Sequence, residues 1–307
     1  MQRILEPGQI EALAQRAMLR IRLPDRAQLF AVRAARLRSL AAGHRTLGDY
    51  LGLMATLADA QHEALTHWEA AGPKASQIAT ARTHGMPVVP ATAWPRDARW
   101  RDVLARLCDV VAASAGVPAG ARKTCLSVRQ WSAAQGEVQA DRLLGAANEG
   151  VEAAAAPFVM AALQVAWVGL ASRLKADDVA EIEAPGICPV CGTLPVASIV
   201  RTDSQAYGYR YLHCALCATE FHRVRVTCTH CGSTKGISYE AIEGGSEAIR
   251  AECCNQCHGY RKIVYQEKDP AVEPVADDLA SLALDLLLAE AGFHRVSGNP
   301  LLWQPRA

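Results

Sequence analysis

The sequence predicts an α+β protein with an all-α N-terminal domain, two tandem cysteine-rich β modules and a C-terminal helix. Three observations predict it. Residues 1–184 show helical spacing of apolar residues and contain no Cys-x-x-Cys. From Cys188 to Lys268, cysteine pairs alternate with period-two strand signals. A leucine-rich helical run returns at 276–293. The expected boundaries are 1–184 for the helical domain, 185–227 and 228–268 for the two modules, and 269–307 for the C-terminal helix and tail.

The chain of 307 residues has room for two or three domains and a sizeable core. Half its residues are hydrophobic and 21% charged, as in ordinary soluble globular proteins. Aromatics at 6% and abundant alanine favour helices over a β-sandwich. The net charge of +1 gives no broad electrostatic pull toward nucleic acid or anionic membrane.

The N-terminus, MQRILEPGQIEALAQR, has no apolar run and no twin-arginine pair, so no export signal and a cytoplasmic location are expected. In DRAQLFAVRAARLRSLAAG, Asp25 is a candidate N-cap and Gly43 a stop, with Leu29, Val32, Leu37 and Leu40 near helical spacing. A second helix is expected from Thr46 to Ala71, closed by Gly72-Pro73. Residues 74–96, with prolines at 87, 90 and 95, read as a loop-rich connection. Within it, Arg82-Thr83-His84-Gly85-Met86-Pro87 reads as a helix-to-loop turn, with contact to a partner as the alternative. Three more helices are expected between Asp97 and Asn148, with Cys108 and Cys125 as isolated buried thiols. Ala153–Ser172 has no formal charge over 20 residues. Its eight alanines, Pro157 and Gln164 favour a buried, closely packed helix over a membrane span.

Pro185-Gly186 marks the change of texture. Tyr207, Tyr209 and Tyr211, then Val224 and Val226, then Ile237 and Tyr239, alternate as strand residues do. At the end of the chain, 276–293 reads as one helix, apolar on most sides and therefore buried between partners. Asp277 and Asp278 suit its positive N-terminal end; a catalytic carboxylate pair is the lesser alternative.

The cysteines carry the chemistry. Cys188/Cys191, Cys214/Cys217, Cys228/Cys231 and Cys254/Cys257 are four Cys-x-x-Cys knuckles separated by 22, 10 and 22 residues. The first two pairs recur at a constant offset of 40, which is an internal duplication. Two knuckles form a tetrahedral four-sulfur site suited to Zn²⁺ or a single iron. The expected sites are Cys188, Cys191, Cys214 and Cys217, and Cys228, Cys231, Cys254 and Cys257. Gly192 and Gly232 follow the first knuckle of each copy, where a positive φ is useful. Copies of about 40 residues cannot fold on core burial alone, so zinc-ribbon or rubredoxin-like modules stapled by metal are expected. A redox Cys-x-x-Cys would be single and open a helix; these are four and strand-flanked. Two Zn(Cys)₄ centres would carry the formal charge from +1 to about −3. His213, His222, His230 and His258 sit in or beside the knuckles, but each site already has four sulfurs. In ECCNQCHG, 252–259, Cys253 aligns with His213 and should face away from the ion, beside Ile249 and Ala251.

Nucleic-acid binding by tandem ribbons is disfavoured. Residues 188–268 hold nine Lys/Arg and seven Asp/Glu, and metallated thiolates would make the region neutral or acidic. The chain has no Gly-rich phosphate loop and no H-E-x-x-H, so a non-enzyme is expected.

RYLHCALCATEFHRVRVTCTHC (210–231), the four knuckles and ADDLASLALDLLLAEAGF resemble the formate dehydrogenase accessory protein family, FdhE. So do ILEPGQIEA near the start, GDYL at 48–51, HGMP at 84–87 and LQVAW at 163–167. The resemblance implies a non-catalytic cytoplasmic maturation factor that binds the catalytic subunit of respiratory formate dehydrogenases. Those enzymes carry molybdenum or tungsten and leave by the twin-arginine route. It also implies rubredoxin-like iron centres on the eight knuckle cysteines. A rubredoxin-like one-electron carrier and a zinc-ribbon nucleic-acid-binding protein are the alternatives. Two metal ions per chain, iron or zinc, are expected in any of these.

Overall fold

A computed structural model describes residues 19–145, 149–184, 186–204 and 206–303. The N-terminal stretch expected to lack an export signal, with its ILEPGQIEA match, and the boundary residue Pro185 lie outside the described residues.

The helical layer begins with α1 (Leu29–Gly43) and α2 (Gly48–His67), packed on each other as a hairpin. Asp25 does not cap α1 directly. Its carboxylate accepts from Ala27 N at 2.9 Å, within a turn that precedes the helix. The expected loop at 74–96 contains a helix, α3 (Ala75–Thr83). Its ASQIATART lacks proline and glycine, and the Gln77 side chain accepts from Lys74 N at 2.8 Å to cap it. The prolines act only from residue 87 onward. The three helices expected between Asp97 and Asn148 are α4 (Trp100–Ala113), α5 (Ala119–Val128) and α6 (Ala133–Leu144). In α4, Trp100, Val103, Leu104, Leu107, Cys108 and Val111 are buried at the three- and four-residue spacing of one face.

The uncharged run forms α7 (Ala156–Ala171), buried along nearly its whole length against α2, α4 and α6. Among the described residues, no helix is long and apolar enough to cross a membrane. Small residues let α7 approach closely: a Cβ on Gly169 would lie 2.4 Å from the Trp68 ring. Its one amide side chain is satisfied. Gln61 donates to Gln164 at 3.0 Å, and Gln164 donates to the Ala215 carbonyl at 2.7 Å.

The cysteine-rich region is one mixed sheet. The first copy is the meander β2 (Pro195–Val200), β3 (Arg210–Cys214) and β4 (Glu220–His222). The second is β5 (Ile237–Glu240), β6 (Ile249–Cys254) and β7 (Gly259–Tyr265). The strand order β4-β3-β2-β7-β6-β5 joins the copies through a parallel β2–β7 pair. The duplication persists in register: His213 faces Glu220 as Cys253 faces Tyr260. The N-terminal segment adds an edge strand, β1 (Ile21–Arg22), to β4. Two expected strand signals are instead turns. Val224 and Val226 lie in an exposed turn with Val226 at φ +59°, and Tyr207 stands in a turn before β3.

The expected single C-terminal helix is broken at Ser281 into α8 (Pro274–Ala280) and α9 (Leu282–Glu290), followed by β8 (His294–Arg295) beside β7. Buried charge causes the break. The Lys262 ammonium takes the Asp278 and Ser281 carbonyls at 2.9 and 3.0 Å, withdrawing acceptors from a continuing helix. Asp277 lies in the first turn of α8, as expected of a helix-start residue, and both it and Asp278 are fully buried. Arg36 donates to Asp277 at 2.9 Å and Arg295 to Asp278 at 2.6 Å. Arg33 donates to Glu273 at 3.0 Å, so α8 is held by charge pairs to α1 while it packs on β2 and β7. The α9 helix is buried on one side only: Leu284 and Leu288 face inward, whereas Leu286 and Leu287 are exposed.

Two changes test this packing. Gly169→Ala is expected to cost about 1–3 kcal/mol in urea unfolding, because the new methyl overlaps Trp68. Asp278→Ala, which leaves Arg295 and Lys262 without this buried carboxylate, is expected to cost about 3–5 kcal/mol. An unchanged midpoint in either variant contradicts the packing described.

Candidate metal centres

Each first knuckle is a tight turn closed by the backbone. Cys188 N donates to Thr193 O at 3.0 Å and Gly192 N to Cys188 O at 2.8 Å. The second copy repeats this, with Cys228 N to Ser233 O at 2.8 Å and Gly232 N to Cys228 O at 3.0 Å. Gly192 and Gly232 both have φ +77°, the left-handed geometry expected of them. The second knuckles use the same device without glycine: Ala218 has φ +56° and His258 φ +54°, at equivalent positions. Side chains occupy that region at a cost of about 1–2 kcal/mol each. No glycine marks these turns, so the sequence pattern does not reveal them.

The eight cysteines converge in two sets of four. Within each set every sulfur lies within 4.8 Å of the others. In the first, Cys188 and Cys217 are 3.6 Å apart and Cys191 and Cys214 3.3 Å. In the second, Cys228–Cys257 and Cys231–Cys254 are both 3.7 Å. A disulfide needs about 2.05 Å. A tetrahedron with metal–sulfur bonds of about 2.3 Å needs sulfurs about 3.8 Å apart, so both sets fit a four-sulfur ion. Thiols alone fit poorly. Burial pushes Cys188 and Cys217 well above the ordinary thiol range. Burial acts on Cys214 too, but hydrogen bonds from its neighbours and Thr193 hold it well below that range. A dication at their centre would ionise all four sulfurs.

Side chains around the sulfurs were not legible as such in the sequence. The Thr193 hydroxyl lies 3.0 Å from Cys191 Sγ and 3.1 Å from Cys214 Sγ. Thr219 Oγ1 lies 3.2 Å from Cys217 Sγ. The stretch after HGMP docks on the first knuckle: Val89 N donates to Val190 O and Ala91 N to Cys191 O, both at 2.8 Å. Behind the second set, the buried Arg261 guanidinium donates to Thr229 at 3.1 Å, to Ser297 at 2.6 Å and to the Pro195 carbonyl. Burial lowers its pKa, and Glu252, its cross-strand partner, and then Cys228 act on it as the nearby negative charges.

The histidines stand outside both sulfur sets. His213 is buried and paired with Glu220 at 3.1 Å. His222 packs edge-on against Tyr209 and Tyr211, and burial lowers its pKa. His230 and His258 are exposed, beside His294 and Phe293 respectively. Cys253 faces away from the second set and packs with Ala251, Tyr260, Leu284 and Leu288, where burial pushes its thiol up to about 12. Ile249, expected beside it, packs in a different cluster with Ile199 and Val264. Cys108 and Cys125 are buried and hydrogen-bonded to each other, which raises Cys108 and lowers Cys125.

The match to known proteins runs along this whole architecture. Three family models, described as FdhE N-terminal, FdhE central domain and FdhE C-terminal domain, match residues 18–184, 187–225 and 226–302. The chain belongs to the FdhE family. An FdhE homologue of Cronobacter sakazakii is 42% identical over 281 residues, covering 91% of this chain and 90% of the relative. One of Stutzerimonas stutzeri is 40% identical and covers 97% of both chains. The crystal structure of the FdhE protein from Pseudomonas aeruginosa superposes with a TM-score of 0.79 at 37% identity, covering 94% of this chain and all of that one. The α+β architecture with two four-cysteine clusters is thus an FdhE architecture.

The facing of Cys253 gives a direct test. Cys253→Ser is expected to leave two metal ions bound per chain, whereas Cys254→Ser is expected to leave one, as read by elemental analysis of the purified proteins. Equal metal loss in both variants contradicts the assignment of Cys254, rather than Cys253, to the second set.

Proposed function

We propose that this chain is a non-catalytic maturation factor that binds the catalytic subunit of a formate dehydrogenase in the cytoplasm. In this reading Cys188, Cys191, Cys214 and Cys217 hold one ion, and Cys228, Cys231, Cys254 and Cys257 a second. The observation that carries it is a pair of converged four-sulfur sets within a chain matched by FdhE models from residue 18 to 302. Zinc in these sites would supply folding energy alone, whereas iron would add one-electron chemistry. The chain's own part is to present a shaped surface. A cleft of about 540 Å³ opens between the helical layer and the first set, bordered by Pro87, Pro90, Met160, Leu194, Leu302 and Trp303. Among the described residues no charged side chain lines it, which suits apolar polypeptide rather than a phosphate-bearing ligand.

Other observations support a binding role over catalysis. Asp277 and Asp278, the one carboxylate pair considered for chemistry, are consumed by buried ion pairs. Three of the ribbon arginines turn inward, leaving Arg225 and Arg250 exposed: Arg201 pairs with Glu220, Arg210 with Glu252, and Arg223 donates to the Ala184 carbonyl. A basic stripe for nucleic acid therefore does not form from them. All eleven cysteines are free, as suits a reducing compartment.

Tagged full-length protein, purified from cells making a formate dehydrogenase, is expected to bring down the catalytic subunit. Cys188→Ser is expected to weaken capture at least about tenfold through loss of the first ion. Salt-sensitive nucleic-acid binding without that subunit contradicts the reading. A red protein with iron that bleaches on reduction favours the electron-carrying alternative, and a colourless zinc protein removes it.

A further inference from the structure

The two sulfur sets repeat in backbone but not in surroundings. Several positions that shield the first set have exposed or non-contacting counterparts, 40 residues on, in the second. Val190, Leu216 and Ala218 are buried around the first; His230, Gln256 and His258 are exposed around the second. Thr193 touches two sulfurs, whereas Ser233 turns its hydroxyl to the Lys235 carbonyl at 3.2 Å. Thr219 touches Cys217, whereas its counterpart is Gly259. A Cβ on Gly192 would meet Pro87 at 3.2 Å, but one on Gly232 would meet nothing within 4 Å. The helical layer thus seats on the first turn and leaves the second bare. As a result all four cysteines of the first set are buried, while Cys231 is exposed and Cys257 half-exposed.

We propose that the two centres have separate tasks: the first is a permanent staple, and the second is an exchange station whose ion enters and leaves past Cys231 and Cys257. The proposal rests on the reading of both sets as metal sites. The first set exchanges only when the fold opens around it: Cys191 borders the cleft beside the helical layer but is only 1% exposed, so an incoming ligand there cannot reach the ion before a sulfur leaves. At the second set, an incoming thiolate or imidazole can approach the exposed edge first. Cys231 then gives up its bond as the newcomer's electron pair forms one, and the freed sulfur takes a proton from water. Repeating this for the remaining sulfurs transfers the ion, and no electron changes hands. The exposed imidazoles of His230 and His294, with rings 6.3 Å apart, stand on the same edge as borderline-metal donors. The exchange partner that fits is a metal carrier or small chelator with thiol or imidazole donors.

The test uses the full chain loaded with two zinc ions and chased with excess 4-(2-pyridylazo)resorcinol. Two phases of equal amplitude are expected, the slower by about 10–100-fold or more. Cys231→Ser should remove the fast phase and leave one slowly released ion, and Thr193→Val should speed the slow phase alone. In the unaltered protein, brief N-ethylmaleimide labelling read by mass spectrometry should mark Cys231 and Cys257 before any first-set cysteine, whatever the fate of the variants. Two ions released in one phase, or first-set cysteines labelled first, overturn the division of tasks while leaving both sites standing. A chain that holds no zinc on these cysteines overturns it together with the metal reading.

Discussion

The structure depends on bringing four sulfurs to within 4.8 Å twice in about 70 residues. Neither copy is large enough to bury a core that fixes its turns. The knuckles must therefore be held from outside their own strands. Part of that comes from left-handed residues at Gly192, Ala218, Gly232 and His258, which aim the thiols. An ion in each set would supply the rest, since four closely packed thiols neither pair as disulfides nor ionise together unaided. Ala218 and His258 tolerate a strained conformation because the convergence over-determines it.

The second requirement is to join the copies to each other and to the helices. The parallel β2–β7 pair merges two meanders into one sheet, so neither module is a free-standing ribbon. Over that seam lies α8, whose Glu273, Asp277 and Asp278 pair with Arg33, Arg36 and Arg295. Such buried pairs contribute little net energy against apolar packing, but a misplaced helix would strand several charges at once. Their role here is to fix where α8 sits. The helical layer, through residues 87–91, then covers the first centre alone. A duplicated module becomes two unlike centres because the helical layer covers only one of them.

Much of this was legible in the sequence. The constant 40-residue offset named both sulfur sets, and the mismatch of Cys253 with that register placed it away from the second. Apolar spacing located α4 to α6, and an uncharged alanine-rich run located α7. What was not legible depends on contacts far along the chain. The proline count hid α3, because Pro87, Pro90 and Pro95 all follow it. Asp277 and Asp278 read as helix-start residues, and nothing local signals that they are buried with Arg36 and Arg295 opposite. The break at Ser281 comes from Lys262, a residue two elements away. Val224 and Val226 alternate like a strand, yet no neighbouring strand is there to pair with them. Thr193 and Thr219 carry a weak signal, a hydroxyl two residues after a knuckle cysteine, which gains meaning only once the sulfurs are placed.

The central claim is that these eight sulfurs hold two ions. X-ray absorption at the metal edge of the purified full-length chain tests it most directly. Two metal ions per chain are expected, zinc or iron, each with four sulfur scatterers at about 2.3 Å and no coordinating nitrogen or oxygen. A shell containing nitrogen or oxygen, or a protein that folds with no metal bound, would contradict it.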